Sequence, residues 1–141
     1  MKRLAYTLLS DGPADRALLP ILTWSLRVAC ASCAIQPAWA ALRQLPRPPR
    51  KLAGRIAQAV SLYPCEILFV HRDAERVPFD ERSEEIQRAV DEARACQELP
   101  PHVPVVPVRM QEAWLLFGCD VPAYLTGSLG SRPASSRSAA V

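Results

Sequence analysis

Short apolar runs alternate with amphipathic stretches along most of this chain. Residues 4–9 (Leu-Ala-Tyr-Thr-Leu-Leu) form the first run, and Ser10-Asp11-Gly12-Pro13 breaks it. A run of that length bounded by turn residues reads as a strand. Asp11 suits the cap of a following helix and Pro13 its first position. Over residues 14–27, Ala17, Leu18, Ile21, Leu22 and Trp24 recur at helical spacing. They predict a broad buried face, with Pro20 bending the helix or shifting its start. Residues 33–39 predict a second strand, pushed to an edge by Pro37. Leu52, Ile56, Ala59, Val60 and Tyr63 predict a second helix. Ile67-Leu68-Phe69-Val70 is apolar throughout, as a parallel strand covered on both faces is. Ile86, Val90 and Ala93 predict the inner face of a helix over 81–96, with Asp80 as cap and Glu84–Arg88 as an outer i,i+4 pair. Residues 103–108 predict a fourth strand near an edge, and 109–117 the start of another helix.

Strands alternating with helices give an α/β fold: a mainly parallel four-stranded sheet with helices on both faces, in three layers. In the order 2-1-3-4 the first and third strands are neighbours, and the switch point between them brings Asp11 and Asp73 together. The domain is expected to span residues 1–117. Residues 118–141 are mostly Gly, Ser, Ala, Pro and Arg without periodicity, which predicts a disordered tail.

The third strand ends in a burst of charge, His71-Arg72-Asp73-Ala74-Glu75-Arg76. Open α/β sheets bind ligands at the carboxyl ends of their strands. In extended chain Asp73 and Glu75 point the same way. Their repulsion calls for a cation, which is either a divalent metal or the flanking Arg72 and Arg76.

Composition adds less. The chain has 141 residues, half of them hydrophobic, enough for one ordinary domain. Fourteen prolines suit many short connections rather than a helical bundle. The formal charge is +3, but residues 80–98 carry seven acids against three bases, a net −4, which leaves +7 on the remainder. A basic body with one acidic helix suits a polyanionic partner. The proline-rich loop 45–51 contributes Arg47, Arg50 and Lys51 and is followed by Arg55. It reads either as a solvated connector or as a contact for nucleic-acid phosphates.

Five scattered cysteines do not make a secreted disulfide framework. Cys30 and Cys33 form a C-x-x-C without the further ligands that zinc needs, and read as small buried residues at a helix end. The apolar run after Met1-Lys2-Arg3 stops too soon for a signal peptide, and residues 21–35 are too few to span a bilayer and hold Arg27. The expectation is a soluble, reduced, cytoplasmic protein with no membrane contact.

Three motifs carry a family resemblance: Ser10-Asp11-Gly12-Pro13-Ala14-Asp15-Arg16, His71-Arg72-Asp73-Ala74-Glu75, and Val106-Pro107-Val108-Arg109-Met110-Gln111-Glu112-Ala113-Trp114-Leu115-Leu116. Together they resemble the TOPRIM fold of topoisomerases, primases and OLD-type nucleases, and more closely a small bacterial TOPRIM-like family, over roughly residues 4–117. The resemblance implies a Mg²⁺ (or Mn²⁺) site built from Asp11, Asp73 and Glu75. Asp11 stands where the family usually has glutamate, and Asp73-x-Glu75 where it has Asp-x-Asp. The activity implied is metal-dependent phosphoryl transfer, a nuclease-like cleavage of nucleic acid. Glu112 would hold a second ion or orient water, and Arg72, Arg76 or Arg109 would pin a phosphate. His71 is a proton shuttle or a structural histidine ending a strand. Two rivals remain. One is a non-catalytic module that uses the same acids to serve a partner protein in a larger assembly. The other is a receiver-like or nucleotide-binding domain, which lacks support because the chain has neither G-x-G-x-x-G nor G-x-x-x-x-G-K.

Overall fold

A computed structural model describes residues 1–107. Four strands form one all-parallel sheet: β1 (Lys2–Leu9), β2 (Cys33–Trp39), β3 (Ile67–His71) and β4 (His102–Val105), in the order β2-β1-β3-β4. Three helices connect them: α1 (Leu18–Ala29), α2 (Leu52–Leu62) and α3 (Phe79–Arg94). The α/β class is the one read from the hydrophobic pattern, and the strand order is 2-1-3-4, which that pattern leaves open. Arg109, Glu112, the helix start at 109–117, and both the domain boundary at 117 and the tail lie outside the described residues.

Strand alternation sorts the core into two layers. Tyr6, Leu8 and Phe69 face α1 and pack with Leu18, Leu22, Leu26 and Trp39. Leu9, Leu68 and Val70 face the opposite way, under Ile56 and Ala59 of α2 and Ile86, Ala89, Val90 and Ala93 of α3. Thr7 lies on this second face, and its hydroxyl donates to the Tyr63 carbonyl at 2.9 Å. Pro37 and Pro104 both sit on edge strands, where the missing N–H need not face a neighbour.

Several local expectations are corrected. The first helix opens as a 3-10 turn, Pro13–Ala17, and becomes α-helical at Leu18, so Pro20 falls in the first α-turn, where a proline is tolerated. Its buried face is narrower than the periodicity implies. Only Leu18 is buried, and Trp24 is 39 % exposed, with no second helix among the described residues on the flank of α1. Asp80 is not the cap of α3. Pro78 holds that place and Asp80 lies in the first turn, where the helix dipole favours it. Arg82 pairs with Glu85 at 2.7 Å, whereas Glu84 and Arg88 form no pair among the described residues. β4 begins one residue earlier than expected and ends at Val105, and buried Val106 and Pro107 continue beyond it. Cys30 and Cys33 are half-buried and joined as a disulfide where α1 hands over to β2, which replaces the reading of two reduced, buried residues. Among the described residues no helix is long and apolar enough to cross a membrane.

Candidate functional site

The carboxyl ends of β1 and β3 lie side by side, with Leu9 in register with Val70. Each chain leaves the sheet there by a tight path. After β1, Ser10 is fixed on both sides: its hydroxyl donates to the Gly12 carbonyl at 3.1 Å and accepts the Trp39 indole N–H at 2.9 Å. Gly12 precedes Pro13 and is extended (φ −148°, ψ 169°), as a residue before proline tends to be. Gly12 therefore takes the cap position. The carboxylate of Asp15, three residues on, reaches back to its N–H at 2.9 Å. This turns Asp15 inward, where its side chain is only 8 % exposed.

His71 is the last residue of β3 and shares the strand face of Ile67 and Phe69. That face looks toward α1 and the 3-10 turn. Its ring is fully buried between two carboxylates: Nδ1 lies 3.4 Å from Asp15 Oδ2 and Nε2 3.5 Å from Asp73 Oδ1. Neither ring nitrogen makes a hydrogen bond among the described residues. Both nitrogens can donate only in the imidazolium; the neutral ring points one lone pair at a carboxylate. Asp15, His71 and Asp73 each offer a ligand atom, and these atoms lie within 4.8 Å of one another. Asp73, at 47 % exposure, is the solvent-facing end of the row.

The other residues singled out from the sequence are placed differently. Asp11 joins the same edge, but its Oδ1 is shared by Arg55 Nη1 at 3.3 Å and Arg72 Nη1 at 3.4 Å. Arg72 does not compensate Asp73; it spans Asp11 and Glu85, the latter at 3.1 Å. Glu75 is not beside Asp73 in extended chain. The strand stops at His71, and the chain turns with Glu75 and Arg76 left-handed (φ 48° and 70°) and the Val77 N–H bonded to the Ala74 carbonyl at 2.8 Å. Glu75 then stands 73 % exposed, against Arg82 at 3.5 Å. Arg76 is exposed and has no acidic partner among the described residues. Asp15 is the site residue that the motif reading passed over, although its spacing from Gly12 is that of a capping acid.

Burial raises the Asp73 carboxyl above its ordinary value of 3.8; His71 pulls it back, while Asp15, Asp11 and Glu75 add repulsion. A carboxyl raised on folding binds more protons in the native than in the unfolded chain across that window. Its contribution to stability therefore falls as pH rises upward from 3.8, and at neutral pH the ionised group opposes folding. Asp73→Asn is accordingly expected to melt at or above the wild-type temperature at pH 7 without metal, by differential scanning calorimetry. A marked drop would mean that Asp73 is a structural partner of His71.

Searches against protein-family models, curated proteins and solved structures return no match for this chain.

Proposed function

We propose that the carboxyl edge between β1 and β3 is a TOPRIM-like, metal-dependent phosphoryl-transfer site that cleaves nucleic acid in a nuclease-like way. The observation that carries this reading is the row Asp15–His71–Asp73, whose buried ring nitrogens have no hydrogen-bond partner among the described residues. The donor set fits a divalent cation. Ligands about 2.1 Å from an octahedral ion stand roughly 3 Å apart, and His71 Nε2 and Asp73 Oδ1 are 3.5 Å apart. Asp15 on the other ring nitrogen supplies the carboxylate that commonly orients a metal-binding histidine. An imidazole nitrogen beside carboxylates favours Mn²⁺ over Mg²⁺, the harder ion.

A bound cation would polarise a phosphoryl oxygen and make its water a better nucleophile. The chain's own part is positional. His71 and Asp73 would hold the ion, and Asp15, 3.4 Å from Nδ1, would orient the ring. Arg55 and Arg72, gathered on Asp11, bring guanidinium charge to the same edge for a phosphate.

A second reading has its own support. Asp11 is neutralised by two arginines and Glu75 faces Arg82, so few carboxylates remain for a second ion among the described residues. A module that binds metal without turnover, serving a partner protein, would look the same. Calorimetric titration of Mn²⁺ and Mg²⁺ into wild type and Asp73→Asn, beside hydrolysis of labelled DNA and RNA, separates them. Saturable binding and cleavage, both lost in the variant, are expected. Binding without cleavage selects the module, and no binding sinks both.

A further inference from the structure

The basic, proline-rich connector between β2 and α2 is anchored chain. Leu42 is buried and Leu45 packs on the α2–α3 core layer. Pro49 runs so close to α2 that a Cβ at Gly54 would stand 3.2 Å from its own Cβ. Between this connector, α2 and the Ser10–Gly12 turn lies a groove of about 580 Å³.

Four arginines line the groove (Arg43, Arg47, Arg50 and Arg55) against one acid, Asp11, a net +3. Two of them are committed to the edge of the sheet. Arg43 donates to the Asp11 carbonyl at 2.6 Å, and Arg55 bridges the Ser10 carbonyl at 2.6 Å and the Asp11 carboxylate. Arg47 and Arg50 are exposed and have no acidic partner among the described residues. Like charges crowded on a fixed wall repel, and folding alone gives no return for it. The prolines on either side of Arg47 offer no N–H, so the guanidinium groups are what the wall presents to an anion. Trp39 lines the same groove, its indole tied to Ser10. The lining reaches Gly12, whose N–H is held by Asp15 of the metal row.

We propose that this groove seats a nucleic-acid strand, with its phosphodiester backbone on Arg47 and Arg50 and its path ending at the Asp15–His71–Asp73 row. The proposal deepens the phosphoryl-transfer reading and rests on it for what the strand is there to undergo; binding itself needs no metal.

The test is fluorescence anisotropy of labelled single-stranded DNA and RNA with the full chain in EDTA, across a salt series. Each phosphate contact contributes a slope of about −0.7 in log K against log salt for a single strand, so Arg47→Ala/Arg50→Ala is expected to flatten the slope by about 1.4. Arg27→Ala/Arg88→Ala removes the same charge from exposed positions on α1 and α3 and is expected to leave the slope unchanged. An equal effect of the two double variants would reduce the groove to net charge and overturn the proposal, as would a wild type that binds neither strand. Strand binding that depends on Arg47 and Arg50, without cleavage in Mn²⁺, would retire the catalytic reading and leave this one standing. Cleavage with a slope indifferent to both arginines would do the reverse.

Discussion

Asp15→Ala is expected to destabilise the protein by about 1 kcal/mol and to weaken Mn²⁺ binding about 10–100-fold. Two losses combine. The Gly12 N–H loses the carboxylate 2.9 Å away that caps the 3-10 turn, and such a cap is worth about 1 kcal/mol. The His71 ring loses the carboxylate 3.4 Å from Nδ1, a contact without hydrogen-bond geometry, so this loss acts on the orientation of the ring and hence on Mn²⁺ affinity rather than on stability. At a few degrees per kcal/mol for a unit of this size, the melting temperature falls by roughly 4–8 °C. Asp15→Asn separates the two. The amide oxygen still accepts from Gly12, so the cap survives, while the charge facing His71 is gone. Its stability is expected to lie nearer the wild type, and its Mn²⁺ affinity nearer Asp15→Ala. A cycle with His71→Gln then reads the coupling of the two side chains directly. Asp15→Ala costing no more than an exposed control such as Asp80→Ala would remove Asp15 from both roles.

The sheet was legible because its signals are local. Short continuous apolar runs mark β1 and β3, helical spacing marks α2 and α3, and the turn at Ser10–Pro13 marks the edge where the site lies. The edge therefore followed from strand order, and Asp73 with it. The composition of the site did not, for three physical reasons. Gly12 precedes Pro13 and is held extended, which moves the cap from Asp11 to Gly12 and turns Asp15 inward. Glu75 and Arg76 take left-handed φ values that non-glycine residues rarely adopt, so the expected alternation of Asp73 and Glu75 ends at the strand terminus. Arg55 and Arg72 converge on Asp11 from α2 and β3, a long-range pairing that no periodicity encodes. His71 stood in the motif from the outset. What raised it from a strand-ending residue to the middle of the row is its burial between two carboxylates from different segments.

Tyr6→Ala should be the most destabilising substitution in the α1 layer, at about 3–5 kcal/mol, against about 1 kcal/mol for Tyr6→Phe. Tyr6 is fully buried on β1 and meets Phe69 of β3 edge-on, with ring centroids 5.3 Å apart. Its hydroxyl donates to the Leu19 carbonyl at 2.9 Å and lies 2.7 Å from Thr23 Oγ1, so one side chain fastens the first two turns of α1 to the sheet. Burial raises the phenol above its ordinary 10.0, with the Thr23 bond opposing, so the hydroxyl stays protonated as a donor at neutral pH. In Tyr6→Phe the ring and its contact with Phe69 remain, and Thr23 keeps the freedom to bond within the helix. In Tyr6→Ala the ring volume is lost from beneath α1, the one helix packed on that face among the described residues. Because α1 continues from the 3-10 turn that carries Asp15, the loss is expected to reach the metal row as well. Under conditions where Tyr6→Ala is still folded, its Mn²⁺ affinity should fall while that of Tyr6→Phe holds. Urea midpoints by circular dichroism, paired with calorimetric titration, measure both. Equal destabilisation by the two substitutions would place the stabilisation in the hydroxyl rather than the ring, and unchanged Mn²⁺ binding in folded Tyr6→Ala would uncouple the helix from the site.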